Sequence, residues 1–295
     1  MAQTVKEVDR EIVDLETMQV LTRVYGEIAS MRMKRTRDEV LQNREFVTGV
    51  NRIFQDIMAS YRAEVVRLIR ERSTKRAEGG LTLLAHNGRA VAVYLSANNR
   101  FYGPMIRQTF DMFIREVREG GAEATIVGRT GRGLFVGSEP NRPYTYFDYP
   151  DNGEDLAKLA ELMAHIVQYE RVHVYYGKFI NAVVQKASVF DISSESPLSK
   201  LQGDGEIEKI KYVFEPNLES ILKFFESEMF GSLLGQIISE SQLSKSASRI
   251  LAMNDAGVNV SDGLKKVKQE RFKLAHRVEN RAQQAGLAGI SLWGK

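Results

Sequence analysis

The sequence contains no cysteine among its 295 residues. This absence excludes a disulfide framework, a thiolate metal site, a cysteine nucleophile and regulation through thiols. The 41 lysine and arginine residues nearly balance 38 aspartate and glutamate residues, which gives a net charge of only +3. Nucleic-acid-binding proteins are typically far more basic, because they neutralise many phosphates. We therefore predict no nucleic-acid partner, and charge alone indicates no other partner.

Long hydrophobic runs are also missing, and no stretch reaches the length of a membrane-spanning helix. The first residues, MAQTVKEVDREIVD, are polar and of mixed charge, unlike a secretory signal or an Arg/Ser-rich transit peptide. The hydrophobic content of 43% is ordinary for a protein with a filled core, and the length allows one or two domains. These features predict a soluble protein that works where it is made.

Proline is scarce and confined to the middle of the chain. All six prolines lie between Pro104 and Pro216. Since proline costs about 3 kcal/mol inside a helix, both ends are free to form long helices. From Val5 to about Arg72, apolar residues recur every three or four positions, which is typical of one helix face. They are Val5, Val8, Ile12, Leu15, Leu21, Val24, Ile28, Val47, Val50, Phe54, Ile57, Tyr61, Val65 and Leu68. Such a long helix needs a partner that buries its apolar stripe.

The other end of the chain supplies that partner. Asn217 is a candidate N-cap of a helix with the same apolar spacing. Gly257 interrupts the pattern, and Ser261 is a candidate cap for its continuation. The two proline-free ends predict an antiparallel coiled coil.

A Ser-rich stretch from Ser239 to Ser248 lies within the C-terminal helical pattern. It puts small polar groups where a coiled coil normally keeps aliphatic side chains. We interpret it as a locally solvent-exposed helix. The alternative is a polar surface that slides against the N-terminal helix or a partner.

Between the two ends, short β-rich runs alternate with helical patterns. The predicted elements are a strand at Ala90–Ser96, a helix from Pro104 to Gly120, a strand at Ala124–Val127, a helix at Glu154–Tyr169 and a strand at Val172–Tyr176. Less regular strands are predicted around Asn181–Phe190 and Lys209–Phe214. Asp151 and Glu154 have capping-box spacing before the second helix. The alternation predicts a Rossmann-like α/β domain with a mostly parallel sheet. We place it at residues 78–214, between coiled-coil helices at residues 1–77 and 215–295.

Enzyme-like features are weak. The glycine-rich stretch Gly128–Gly133 lacks the spacing of either phosphate-binding motif, and we predict a turn there. The histidines, which are His86, His165, His173 and His276, have no metal-ligand spacing. We therefore predict no catalytic residue, no metal and no cofactor. The strand ends of an α/β domain still form a crevice that could hold a small molecule.

Several segments, taken in order, resemble the gamma subunit of F-type ATP synthases. QVLTR at residues 19–23 and ASMRMKR at residues 29–35 resemble the family's QKITKAM and AASKMRK. KFIN at residues 178–181 follows a strand as in the family, and YVFEPN at residues 212–217 is similar to YLYEPD. SRILAM, which ends at Met253, resembles the end of SEQAARMVAM, and residues 272–277 are similar to YNKARQ. One loop departs from the pattern: the family's SDRGLCGGLN is SANNRFYGP here, at Ser96–Pro104.

This resemblance implies a non-catalytic central-stalk rotor that transmits torque in a proton-translocating complex. The implied partners are the alpha and beta nucleotide-binding subunits, an epsilon-type subunit and the membrane c-ring, with a single copy of this chain per complex. The implied contacts with the catalytic hexamer are Arg23, Tyr25, Arg32, Lys34, Arg35, Arg249, His276 and Arg277, and those with the ring are Tyr212, Phe214 and Glu215. The implied location is peripheral, on the cytoplasmic side of a bacterial inner membrane.

Each of these contact residues also has a purely structural interpretation. A basic run is commonly a solvated helix face, and a lone histidine on a polar helix commonly lies on the surface. Glu215 could simply stabilise a helix start through the helix dipole. For the whole chain, the alternatives are a coiled-coil adaptor with an inserted α/β domain in a non-rotary assembly, and an α/β enzyme with helical arms.

Overall fold

A computed structural model of the chain describes residues 4–61, 84–85, 87–193 and 217–293. Its helices are α1 (Val5–Ser60), α2 (Met105–Glu119), α3 (Arg129–Ser138), α4 (Leu156–Ile166) and α5 (Leu218–Trp293). Its strands are β1 (Ala90–Leu95), β2 (Glu123–Val127), β3 (Tyr144–Phe147), β4 (Arg171–Phe179) and β5 (Gln185–Asp191). The predicted fold class, paired terminal helices with a central α/β sheet, is confirmed.

The chain divides into two compact units. The first, which we call the helical unit, consists of Met1–Ser30 and Arg249–Lys295. The second, the sheet unit, is Met31–Ser248. Helices α1 and α5 each contribute a segment to both units.

In the helical unit, α1 and α5 run antiparallel. A Cβ atom added at Gly26 would lie 3.7 Å from the Cβ of Met253, and one added at Gly257 would lie 3.6 Å from the hydroxyl oxygen of Thr22. Farther along, the guanidinium Nε of Arg271 lies 2.5 Å from a carboxylate oxygen of Asp9. Moving toward the start of α1 therefore moves toward the end of α5, as predicted.

The side of α1 that faces inward in the helical unit follows an unbroken seven-residue repeat. The inward positions are Val8, Ile12, Leu15, Gln19, Thr22, Gly26 and Ala29. The sequence predicted Leu21 and Val24 on this face, and that is wrong: they are 49% and 43% exposed. Apolar spacing alone misled the prediction, because polar and small residues occupy the inward positions over this stretch.

Helix α5 is continuous through Gly257, so the predicted interruption and the cap at Ser261 are also wrong. A helix-interior glycine is unfavourable by about 1 kcal/mol relative to alanine. Here Gly257 lies against Thr22 of α1, and packing against α1 outweighs that intrinsic preference. At the other end of the helix, the predicted N-cap is confirmed, since the carboxamide oxygen of Asn217 accepts the N–H of Ser220 at 2.8 Å.

The sheet unit contains a five-stranded sheet in the order β3-β2-β1-β4-β5. Strands β1 to β4 are parallel, and β5 is antiparallel to β4. Helices α2 and α3 cover one face, where Tyr94 stacks on Phe113 with ring centroids 5.3 Å apart. The other face packs against α4 and the first half of α5 through side chains such as Leu162 and Leu234. In this unit α1 also meets α5, with the rings of Phe54 and Phe225 6.1 Å apart.

Three local predictions within the sheet unit are wrong. The glycine-rich stretch begins helix α3 instead of forming a turn, and it lies in a β2-α3-β3 crossover. Strand β3 was missed because it is only four residues long and directly follows Pro143. Asp151 does not cap α4. The cap is Asp155, whose carboxylate accepts the N–H of Lys158 at 3.1 Å.

Candidate interaction sites on the helices and at the sheet edge

Arg23 and Tyr25 lie on the outward side of α1 in the helical unit. Arg23 is exposed, and Tyr25 is 41% exposed. Leu21 and Val24 flank them and are similarly exposed. The inward positions at this level are small or polar, so the larger apolar side chains face away from α5. This outward strip combines apolar area with a positive charge, a combination typical of a surface that contacts another protein.

His276 and Arg277 lie at a different level of the same unit. His276 is exposed, and its ring packs edge-on against Phe272, with centroids 4.4 Å apart. Arg277 is exposed, and its guanidinium lies over the backbone of the preceding turn, 3.4 Å from the carbonyl oxygen of Lys273. Arg271 pairs with Asp9 near the start of α1, and His276 follows Arg271 by five residues. At about 1.5 Å per residue, His276 therefore lies about 30 Å from Arg23 along the helix axis. The two groups of predicted contacts within the helical unit therefore form separate patches.

The remaining predicted contact residues are spread over the chain. In the sheet unit, Lys34 and Arg35 are exposed, Arg32 is half-buried, and Arg35 pairs with Glu39 at 3.2 Å. Arg249, at the start of the α5 segment of the helical unit, is only 5% exposed. Tyr212, Phe214 and Glu215, the predicted ring contacts, lie outside the described residues.

The carboxyl edge of the sheet is organised around Asp151. Its carboxylate accepts the backbone N–H groups of Asn98 at 2.7 Å and of Asn99 at 2.9 Å. It also accepts the side-chain amide of Asn99 at 2.7 Å and the hydroxyl of Tyr102 at 3.0 Å. Asp151 is 6% exposed. These bonds fix the Ser96–Pro104 loop, in which the sequence departs from the gamma-subunit pattern.

The same loop occupies the place where a phosphate would meet the start of α3. The N–H of Arg129 donates to the carboxamide oxygen of Asn98, and that of Thr130 donates to the carbonyl of Ala97, both at 2.8 Å. At Gly128, whose φ of 99° favours glycine, an added Cβ would lie 2.9 Å from the Ala97 backbone. The chain itself therefore occupies the amides at the start of α3, on one side of the crevice predicted at the strand ends.

Lys245 of α5 reaches this edge from the other side. Its ammonium group donates to the carbonyl of Ser96 at 2.7 Å, and the residue is 6% exposed. Burial lowers the pKa of Lys245, and the nearby carboxylate of Asp151 opposes that change. The cavity beside it has room for about one water molecule. Ser96 and Ser241 are among the residues that line this cavity, and their hydroxyl oxygens are buried.

The described histidines have ordinary structural neighbours. Nε2 of His165 lies 2.8 Å from the hydroxyl of Thr125, and Nδ1 of His173 lies 3.5 Å from a carboxylate oxygen of Glu116. His86 lies outside the described residues. Within the part of the chain that the structure describes, no group of three or more histidine, aspartate or glutamate side chains could hold a metal ion.

Sequence reasoning missed Asp151 and Lys245 as the residues that organise the sheet edge. Asp151 resembled a helix cap because its spacing to Glu154 fitted one, and only the fold brings it beside Asn98. Lys245 lies inside the Ser-rich stretch, which was predicted to be solvent-exposed. That prediction is wrong, since every residue of the stretch is buried. Donor side chains at Gln242, Lys245 and Ser248, three residues apart, were the available signal.

Comparison with known proteins agrees with this fold. A family model described as ATP synthase matches residues 4–275. The ATP synthase gamma chain of Pelotomaculum thermopropionicum is 22% identical, covering 96% of this chain and 93% of that protein. The gamma chain of Symbiobacterium thermophilum is 24% identical, covering 97% and 94%.

Two solved structures have a similar fold. One is a chain of the Euglena gracilis mitochondrial ATP synthase, solved with OSCP, F1 and the c-ring. Its TM-score is 0.55 at 16% identity, covering 90% of this chain and 95% of that one. The other belongs to the central stalk and c-ring of the Tetrahymena thermophila mitochondrial ATP synthase, with a TM-score of 0.51 at 17% identity, covering 80% and 99%.

The helix pair and the sheet unit are the fold of a central-stalk protein, and the family match extends over nearly the whole chain. The chain belongs to the ATP synthase family. The resemblance to gamma chains seen in the sequence is confirmed, and with it the central-stalk role. None of the described helices combines the length and the apolar character that crossing a membrane requires.

Proposed function

We propose that this chain is the rotor of a proton-translocating F-type ATP synthase and carries torque between the membrane c-ring and the catalytic hexamer. The observation that carries this proposal is the outward strip of α1, where Leu21, Val24 and Tyr25 are exposed beside Arg23. A helix pair that stood only in water would gain nothing from keeping its larger apolar side chains outside. A shaft enclosed by other subunits would contact them through such a strip.

The partners in this proposal are the alpha and beta nucleotide-binding subunits, an epsilon-type subunit and the c-ring. The hexamer contacts are Arg23, Tyr25, Arg32, Lys34, Arg35, Arg249, His276 and Arg277, and the ring contacts are Tyr212, Phe214 and Glu215. A single copy acts in each complex, on the cytoplasmic side of a bacterial inner membrane. We divide the chain at residues 77 and 214 into the two coiled-coil helices and the α/β domain between them.

The chain is proposed to act without catalysis of its own. Asn98 and Ala97 occupy the amides at the start of α3, where a nucleotide phosphate would otherwise bind. The rotor would act instead by differential contact: at each angle it favours one conformation of the surrounding subunits and so changes their nucleotide affinities. ATP, magnesium and the chemistry belong to those partners.

Cryo-electron microscopy of the native complex tests this proposal. We expect one copy of this chain on the pseudo-threefold axis of three alpha and three beta subunits, with Arg23 facing their loops. The purified chain alone should turn over no ATP. A symmetric homodimer without nucleotide-binding partners would instead support the adaptor interpretation, and ATP turnover by the isolated chain would support an enzyme.

A further inference from the structure

The Ser-rich stretch of α5 is buried on all sides of the helix. Every residue from Ile237 to Ser248, which spans about three helical turns, is buried within the sheet unit. A helix enclosed in this way usually carries apolar residues all around. Buried serine, glutamine and lysine side chains therefore require hydrogen-bond partners, because a buried polar group without a partner is destabilising.

Three residues on one face of this stretch make such hydrogen bonds. Gln242, Lys245 and Ser248 are spaced three residues apart, so their side chains lie along one side of α5. Each donates to a backbone carbonyl at the sheet edge: Gln242 to Gly153 at 2.9 Å, Lys245 to Ser96 at 2.7 Å and Ser248 to Tyr102 at 2.6 Å. We call these three residues the donor stripe.

The acceptors of the donor stripe belong to two loops that are themselves joined. Ser96 and Tyr102 lie in the loop after β1, and Gly153 lies in the loop before α4. Asp151, in the second loop, binds the first loop through Asn98, Asn99 and Tyr102. The donor stripe therefore binds the backbone of two loops that Asp151 connects to each other.

A neighbouring face of α5 permits a close approach to the sheet. A Cβ added at Gly177 of β4 would lie 2.8 Å from the hydroxyl oxygen of Ser244. A side chain larger than serine at position 244, or any side chain at Gly177, would force α5 away from β4 and lengthen the bonds of the stripe. The small residues thus position the helix, and the donors fix its rotation.

We propose that the donor stripe is the joint that prevents α5 from turning about its own axis against the sheet unit, with Lys245 as its main positioning residue. A rotation by one residue is about 100°, which would carry the ammonium group away from the Ser96 carbonyl. The charge would then be buried without that partner, a strongly unfavourable state. Under the proposed rotor function, on which this inference rests, torque on the sheet unit would be transmitted to α5 without rotation of the helix about its own axis.

The test uses the full chain assembled with its complex in membrane vesicles. Lys245→Met keeps the length of the side chain and removes the donor, and Lys186→Met, at an exposed lysine of β5, is the matched control. Ser248→Ala removes a second donor with little change in volume, and Ser248→Thr retains the hydroxyl. ATP hydrolysis and ATP-driven proton uptake are measured on the same vesicles. Amide hydrogen exchange of Asn98 and Asn99 is measured in parallel.

For Lys245→Met we expect about tenfold faster exchange at Asn98 and Asn99, the effect of losing one charge-assisted hydrogen bond. Proton uptake per ATP hydrolysed should fall while hydrolysis continues, and Lys186→Met should match the wild type. If Lys245→Met does not assemble, Ser248→Ala should show the same change and Ser248→Thr should restore it. Wild-type exchange and coupling in both donor-deleting variants would overturn the joint. A wild-type chain that supports no ATP-driven proton uptake would instead overturn the rotor function.

Discussion

A carboxylate oxygen of Glu16 and the ammonium nitrogen of Lys268 lie 2.8 Å apart, although 252 residues separate them in the sequence. They join α1 to α5 in the helical unit, as Asp9 and Arg271 do nearer the chain ends. Both side chains of the Glu16–Lys268 pair remain about half exposed. Pairs of this kind fix the relative register of two helices more than they stabilise them, because water and salt screen the charges.

A double-mutant cycle with Glu16→Gln and Lys268→Met measures that pair. We expect a coupling energy of about 0.2–1 kcal/mol in low salt, which decreases as salt is added. Urea unfolding followed by circular dichroism gives the four free energies. A coupling well above about 2 kcal/mol, or one that salt leaves unchanged, would mean that the pair is desolvated in solution.

Two glycines of α3 should respond oppositely to alanine. A Cβ at Gly131 would lie 2.5 Å from the Cβ of Ser96, whereas one at Gly133 meets nothing within 4 Å. We expect Gly131→Ala to destabilise the sheet unit by about 1–3 kcal/mol through overpacking. Gly133→Ala should stabilise it by about 0.5–1 kcal/mol, because alanine has the better helix propensity. Thermal unfolding of both variants checks this, and equal shifts of the same sign would contradict the packing of Ser96 on α3.

Prediction from sequence succeeded where one local signal controlled the structure. Pro104 and Gly120 bound α2 as expected, and Asn217 caps α5, because each of these signals acts within one turn of backbone. It failed where distant packing decided the outcome. Gly257 continues a helix because α1 lies against it, and Leu21 faces outward because the inward positions of α1 are set by its partner helix.

The residues of the candidate sites also divide into those set by local sequence and those set by distant contacts. The exposed charges at Arg23 and Arg277 could be found from sequence, since a charged residue on a long polar helix is normally exposed. Asp151 and Lys245 were harder to find, because their partners lie in loops far away in the chain. The three-residue spacing of polar donors around Lys245 was the one signal in the sequence. A hydrogen bond to the main chain does not require any particular residue type at the partner position, so the sequence does not identify that partner.

His165 should make stability depend on pH in a defined direction. Burial lowers the pKa of His165 below its usual 6.5, Glu123 opposes the change and Arg89 adds to it. The unfolded chain therefore binds a proton more readily than the folded chain. The free energy of unfolding should be highest above pH 6.5 and decrease as the pH falls through 6.5 toward the lowered pKa.

The His165→Gln variant isolates this contribution. Other groups titrate in both proteins, so the relevant quantity is the difference in unfolding free energy between variant and wild type. That difference should stay constant above about pH 7.5 and shrink at lower pH, as the wild type loses the advantage of a neutral histidine. Chemical denaturation at a series of pH values measures it. A difference that is flat down to pH 5 would mean that His165 titrates alike in both states.

Substitution of Arg23 tests the outward strip directly. Arg23→Gln removes the charge from an exposed position of α1, so the stability of the isolated chain should change by less than about 0.5 kcal/mol. In the assembled complex the same change should weaken coupling between ATP hydrolysis and proton uptake, because the proposed contact between Arg23 and the loops of the hexamer loses its positive charge. Arg10→Gln, at another exposed arginine of α1, is the matched control and should leave coupling at the wild-type level. Unchanged coupling in Arg23→Gln, or equal losses in both variants, would remove Arg23 from the proposed contacts.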